Sequence, residues 1–299
     1  MRIGVSLSSS LTTDDPSQAA RWMIERARAA NRVELDLLSL GDHHAMSTPY
    51  YQNTPMLGRL LAEWGPRPVG CLFLLPLWNP LLVAEHIGTL AALSDAPFVL
   101  QTGIGFRQDQ FAAMNAGHGT RGAVLEESIR VVRGLLAGEV MESDLMGGPA
   151  SIGLIPRQKV EWWLAGGPSR TAIERAARLG DAWYGSPALS AETAVEQLRV
   201  YTDACAGAGR PARPIVRKDV VVLAEPGAAR KVGTEILTAG YRGLDEASVL
   251  LGTPAEVADQ LAPFADLGFT DVVCRCLTVP QSQAIESIEL LAEVRQLLT

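Results

Sequence analysis

The sequence predicts a single (β/α)8 TIM barrel, an α/β fold that takes residues 1–299 as one domain. Three observations predict it. Eight short runs rich in β-branched and apolar residues alternate with helical patterns, the order that a parallel sheet with crossover helices requires. The length, 299 residues, suits one barrel with its loops. No composition shift, low-complexity tract or repeat beyond the βα unit divides the chain. An open doubly wound sheet is the competing topology, and eight successive units favour closure over it.

The strands are read at residues 2–7, 33–40, 69–75, 97–102, 161–165, 182–185, 215–224 and 271–276. The helices between and after them are read at 17–31, 54–64, 80–94, 121–136, 169–179, 191–206, 254–267 and 282–298. Asp15-Pro16, Asn79-Pro80 and Thr253-Pro254 each set a capping side chain before a proline whose missing N–H costs a first turn nothing. Gly180 and Gly268 stand where helices should stop. Glycine and proline enrich residues 146–156 and 206–214, both short enough to be loops.

Hydrophobic residues make up 47% and charged residues 20%, the balance of a globular chain with a large core. The net charge of -7 argues against a nucleic-acid partner, which would need a basic face. The apolar stretch at 69–93 is interrupted by Pro76, Asn79, Pro80, Glu85 and His86, so no membrane span is expected. Met1 runs straight into a strand-like segment without the pattern of a signal peptide. Cys71, Cys205, Cys274 and Cys276 form no CxxC pair. They read as buried small hydrophobes in a reducing, cytoplasmic setting, with Cys274 and Cys276 on one strand face.

In a parallel barrel, chemistry collects where strands end. After the second strand come Asp42, His43 and His44. Adjacent side chains on extended backbone point to opposite sides, so one histidine should face the mouth, with Asp42 placed to orient or charge-stabilise an imidazole. Capping of the strand is the plainer role for them. A metal site is not expected, because HxH and HxxxH spacings are absent. His86 reads as a helix-surface or interface residue and His118 as part of a glycine-flanked loop, either exposed or part of a lid. Gly103 and Gly105 mark either a ligand lying against the backbone or tight packing. Gly166-Gly167-Pro168-Ser169 opens a helix after the fifth strand. It reads as an anion site made of free N–H groups and the positive end of a helix dipole, or as an ordinary cap.

Together these stretches resemble the luciferase-like flavin-dependent oxidoreductases, the group that includes bacterial luciferase, alkanesulfonate monooxygenase and deazaflavin-using relatives. Gly41-Asp42-His43-His44 is similar to the family's Glu-His-His. Leu75 to Pro80 followed by Ala84-Glu85 is similar to its Leu-Pro-x-x-x-Pro and Ala-Glu pattern. The run from Gly103 through Phe111 resembles its Gly-x-Gly-Trp and Glu-Phe segment. The run from Trp163 through Trp183 resembles its Gly-Gly, Ala-Ala and Gly-Asp-Gly-Trp signature, and Gly252 to Val257 its late helix opening. Asp42 stands for Glu, Phe106 for Trp, Gln110 for Glu and Ala182 for Gly, and the large insertion of longer members looks trimmed.

The resemblance implies a flavin at the mouth, its ring near Leu74, Leu75, Gly103 and Gly105 and its phosphate on Gly166, Gly167 and Ser169. It also implies a non-prolyl cis peptide near Leu74-Leu75. Phosphate binding after the fifth strand departs from the usual barrel position after strands seven and eight. His43 matches the family's active-site histidine, with Asp42 beside it as the second catalytic candidate. The leading expectation is a monooxygenase that uses reduced FMN and O2 on a small organic substrate, with a separate flavin reductase as partner. The lack of a Rossmann GxGxxG after a strand agrees with borrowed reducing power. The alternative is a deazaflavin-dependent oxidoreductase that transfers hydride without O2. A third reading, suggested by Phe106 and Gln110, is a flavin carrier without catalysis. The family also implies a homodimer.

Overall fold

The computed structural model describes residues 1–10, 13–241, 244–277 and 279–298. Nine strands are present among them: β1 (Arg2–Leu7), β2 (Leu37–Leu40), β3 (Val69–Leu74), β4 (Phe98–Gly103), β5 (Val160–Gly166), β6 (Ala182–Gly185), β7 (Pro214–Val222), β8 (Val249–Gly252) and β9 (Asp271–Cys276). The helices are α1 (Pro16–Arg32), α2 (Asn53–Leu61), α3 (Pro80–Ala92), α4 (Gln108–Ala113), α5 (Arg121–Leu136), α6 (Arg170–Leu179), α7 (Ala191–Gly207), α8 (Ala228–Thr238), α9 (Pro254–Asp266) and α10 (Gln281–Leu297). All strand pairings are parallel. β1 to β6 pair in succession, β6 joins β7, β7 joins β9, and β9 returns to β1. The expected TIM barrel is therefore closed, and the open sheet is excluded.

β7 carries the closure. Its start pairs with β6 (Trp183 with Pro214, Gly185 with Val216), and its middle with β9 (Ile215 with Asp271, Val220 with Cys276). Its last four residues hold β8, which pairs with no other strand. β8 is one of three elements absent from the sequence reading, with α4 and α8. A four-residue apolar run has too few periods to be told from a piece of helix. β2 also starts later than expected. The backbone turns at Glu34 (φ 54°), and Asp36 then accepts a hydrogen bond from the Ile3 amide at 2.8 Å.

The caps form as read. Asp15 accepts from the Ser17 amide at 2.8 Å, Asn79 from the Leu81 amide at 2.9 Å, and Thr253 exchanges hydrogen bonds with Glu256. Gly268 ends its helix in the left-handed region (φ 91°). Gly180 does not: its φ is -96°, and it is glycine because a Cβ would lie 2.8 Å from the carbonyl oxygens of Ala176 and Ala182.

Strand alternation separates two apolar layers. Outward residues such as Ile3, Val5, Leu38, Cys71 and Val272 pack under the helices. Inward residues Leu37, Val99, Trp163, Ile215 and Val273 fill the lower lumen. Below them Arg2 pairs with Asp271 (2.6 Å) and Arg213 with Glu161 (2.7 Å) and Asp271 (3.5 Å), closing the N-terminal end with charge. Cys274 and Cys276 share the outer face, and all four cysteines are buried free thiols. Among the described residues no helix is long and apolar enough to cross a membrane.

Lys218 places a charge in the outer layer and is 1% exposed. Its Nζ donates to the carbonyls of Pro187 and Leu189 and sits 4.9 Å from the Phe264 ring. Burial pushes its pKa down to about 8. The native state therefore binds fewer protons than the unfolded state between about pH 8 and the ordinary lysine value. Stability must rise with pH across that window, because the penalty for burying the cation fades. Wild type should gain up to about 3 kcal/mol relative to Lys218→Met between pH 7.5 and pH 10, read from urea midpoints. A constant difference between the two proteins would contradict a buried cation at this position.

Candidate functional site

The C-terminal strand ends form one mouth, and Asp42 organises its β2–β3 side. Its side chain is fully buried. Oδ2 accepts from the Leu74 amide at 2.7 Å and from the Trp78 indole N–H at 2.8 Å. Oδ1 lies 3.2 Å from His44 Nε2, at ion-pair distance but off the line a hydrogen bond needs. Trp78 in turn meets Phe73, His44 and His86 edge-on at 5.2, 5.2 and 5.9 Å. Asp42 therefore faces His44 and the backbone of β3. His86, read as a helix-surface or interface residue, is half-buried against Trp78.

His43 turns the other way, as the alternation required. Gln110, 2% exposed on α4, reaches its Nδ1 at 2.7 Å with Nε2. The same amide nitrogen lies 3.2 Å from the His44 carbonyl oxygen. A carbonyl only accepts, so the amide nitrogen faces both groups, and Nδ1 must accept as well. The bonded tautomer thus carries its proton on Nε2. Tyr50 meets the ring edge-on at 5.8 Å. Gln110 was read only as a departure from a family pattern. Its contact with His43 spans 67 residues and is invisible along the chain.

The expected ring-binding residues divide. Leu74 is half-buried at the mouth, whereas Leu75 enters a 3-10 turn (Leu75–Leu77) and is fully buried in the core. Of the pair, only Leu74 reaches the mouth. No peptide bond among the described residues is cis. The expected cis link at Leu74-Leu75 is thus corrected: Leu74 has φ -79° and ψ 74°, its amide held by Asp42 while the chain turns. Gly103 lies under Leu74, where a Cβ would come 2.8 Å from Leu74 Cδ2. Gly105 (φ 73°) is required by packing, since a Cβ there would lie 2.9 Å from the Phe111 ring. Phe106 after it is 76% exposed. His118 Nε2 lies 3.1 Å from the Phe106 carbonyl oxygen and ties this loop to the start of α5.

At the end of β5 the two glycines do different work. Trp183 donates its indole N–H to the Gly166 carbonyl at 3.0 Å, and a Cβ on Gly166 would lie 2.6 Å from that nitrogen. Gly166 is a packing position. Gly167 has open space where its Cβ would be, and Ala165 is exposed on a strand otherwise largely buried. Ser169 is the N-cap residue of α6, and its side chain makes no capping bond. Arg170 pairs with Glu174 at 2.7 Å on the outer surface, away from an anion-binding role.

Above the apolar lower lumen lies a polar layer that the sequence reading missed. Arg217 and Asp219 on β7 pair at 2.6 Å, and Tyr241 donates to Asp219 at 3.1 Å. Burial by itself would lower the Arg217 pKa, but the Asp219 carboxylate together with Tyr184 and Tyr241 raises it on balance. Burial pushes the Tyr184 and Tyr50 hydroxyls up, so both keep their protons. Arg275 on β9 donates to Ser8 Oγ at 3.1 Å. The signal for this layer was period two: Arg217, Asp219 and Arg275 occupy alternate inward positions of strands read only for apolar content. Among the described residues, no three His, Cys, Asp or Glu side chains cluster as metal ligands.

Comparisons with known proteins agree with this architecture. A family model described as luciferase-like monooxygenase matches residues 1–242. Among solved structures, the chain is similar to the monooxygenase RslO1 of Streptomyces bottropensis, with TM-score 0.82, 19% identity and 98% of each chain covered. It is also similar to the oxygenating constituent of 3,6-diketocamphane monooxygenase from Pseudomonas putida in complex with FMN, with TM-score 0.83, 17% identity and 98% and 97% covered. An F420-dependent secondary alcohol dehydrogenase in complex with an F420-acetone adduct matches with TM-score 0.80, 14% identity and 100% and 99% covered. At these identities the structural likeness establishes the fold. No curated protein matches the chain at a significant level.

Two outcomes follow from the geometry. Asp42→Ala strands the Leu74 amide and the Trp78 indole N–H, and chemical denaturation should show a loss of about 2–4 kcal/mol. Gln110→Glu replaces a donor to His43 Nδ1 with an acceptor, which favours the imidazolium. In NMR titrations His43 should then protonate at higher pH than in wild type. An unchanged or lower midpoint would contradict the hydrogen-bond direction assigned here.

Proposed function

The chain belongs to the luciferase-like monooxygenase family, a group of oxidoreductases, and from that membership we propose that it is a flavin-dependent monooxygenase using reduced FMN and O2 on a small organic substrate. The observation that carries the proposal is the convergence of three features at one barrel end. These are an imidazole (His43) held by Gln110, an apolar shelf of Leu74 over Gly103, and an open glycine turn (Gly167) at the start of α6. The residues fit a flat ring that carries a phosphate tail. Leu74 and Gly103 offer a smooth apolar face, the exposed Ala165 leaves room over β5, and Gly167 and Ser169 leave backbone and hydroxyl groups for an anion at a helix N-terminus.

Bound there, the reduced flavin would supply the two electrons that activate oxygen. The chain's own contribution is positional. Gln110 holds the His43 ring and keeps Nδ1 an acceptor, which puts the proton of the neutral ring on Nε2. Asp42 fixes the turn after β3 and thereby the height of Leu74. Asp42 acts on this mouth through structure and His44, and the proton-handling role rests with His43. The inward apolar shelf excludes water from the reacting groups. In this reading a separate reductase delivers the reduced flavin, and the chain works as a homodimer. The deazaflavin alternative draws support from the F420-dependent dehydrogenase, which shares this fold.

Fluorescence titration with FMN and, separately, with the deazaflavin F420 distinguishes the two. FMN should bind and F420 should not compete, and tight binding of F420 alone would overturn the FMN reading. His43→Ala should keep FMN affinity within about threefold while lowering substrate oxygenation about 10²-fold or more, the usual scale of a lost general acid or base. Unchanged oxygenation in that variant would remove His43 from the chemistry.

A further inference from the structure

The polar layer inside the mouth has more donors than acceptors. Gln101, 2% exposed on β4, lines a small cavity, and its buried amide nitrogen has no hydrogen-bond partner. The Nε atoms of Arg217 and Arg275, which line the same cavity, are likewise buried and unpartnered. The two cations are not equivalent. Arg217 is matched by Asp219 at 2.6 Å, whereas the one polar contact of Arg275 among the described residues is the neutral Ser8 hydroxyl. Around them stand Tyr50 and Tyr184, whose hydroxyls stay protonated. The pocket thus holds a guanidinium with no ion pair among the described residues, and three unpartnered nitrogens that carry four N–H bonds between them.

We infer that this pocket receives the carboxylate of the organic substrate, with Arg275 as the charge partner and Gln101 as the orienting donor. The inference rests on the oxygenase reading for the word substrate, and it names the class: small organic acids. Size agrees with charge. The cavity is about 30 Å³, room for about two water-sized groups and so for the two oxygens of a carboxylate. Guanidinium N–H groups match that planar anion, and the side-chain amide adds a third direction. The rest of the acid would extend outward past Leu72, which lines the cavity, toward Leu74 and Gly103. The reacting carbon would then stand at a fixed distance from the buried head. The turn at Gly167 remains a separate site on β5.

Calorimetric titration of the full chain with benzoate and with its neutral isostere benzamide, both without cofactor, tests the inference. Benzoate should bind at least tenfold more tightly than benzamide. Arg275→Met should erase that preference, Gln101→Leu should reduce it severalfold, and Arg275→Lys should restore part of it. FMN affinity of the same variants should stay within twofold of wild type. Melting curves guard against misfolding, and Arg275→Met should melt close to wild type because Arg275 is half-buried and makes no ion pair among the described residues. If that variant fails to fold, the benzoate preference of wild type and its change in Arg275→Lys decide the matter. Equal affinity for benzoate and benzamide overturns the inference. So does a loss of FMN affinity in Arg275→Met as large as the loss of benzoate, which would assign the pocket to the anionic ring of the cofactor. Selective benzoate binding without any FMN binding would sink the cofactor reading and leave the acid pocket standing.

Discussion

Closure of the ring at β7 is the constraint on which the rest depends. A nine-residue strand meets β6 with its start and β9 with its middle, and its end carries the extra strand β8. Once the ring is closed, every second side chain of eight strands must share one lumen. The lower lumen can be apolar because its residues meet only each other, under a lid of ion pairs among Arg2, Asp271, Arg213 and Glu161. The upper lumen is polar because strand ends open there, and that asymmetry gives the molecule a working end.

At that end, two buried hydrogen-bonded side chains do most of the positioning. Asp42 joins β2 to β3 by taking the Leu74 amide and the Trp78 indole, and the aromatic edges around Trp78 lock the arrangement. Gln110 joins α4 to the histidine pair and selects a tautomer. Neither side chain has to react to matter, since each removes freedom from its neighbours. The deeper layer of Arg217, Asp219 and Arg275 differs in kind. Arg217 is paired with Asp219, whereas Arg275 donates to the neutral Ser8 hydroxyl.

Much of this was visible in the order of residues. The alternation of strand and helix patterns gave eight barrel strands, and the capping motifs at Asp15, Asn79 and Thr253 formed where they were read. The strand ends pointed to Asp42, His43 and the glycine turn, because short-range rules suffice to find them. Those rules failed where partners are distant. Asp42 was read as orienting one of the two histidines without saying which; it lies beside His44, and its hydrogen bonds go to the Leu74 amide and the Trp78 indole. Gly166 was read as a ligand contact from its place in the chain, and its packing against the Trp183 indole was not legible there. Leu75 was taken for a mouth residue, and a 3-10 turn buries it.

The sequence by itself determined which residues could be strands, which helices would start where, and that polar chemistry gathers after β2 and β5, because these follow from backbone preferences and periodicities within a few residues. Only the tertiary structure decided which side chain meets which. Gln110 reaches His43 across 67 positions. Arg275 comes to share a cavity with Gln101 and Arg217 because the ring closes. A period of two tells which face a residue takes, and closure alone tells what stands across from it.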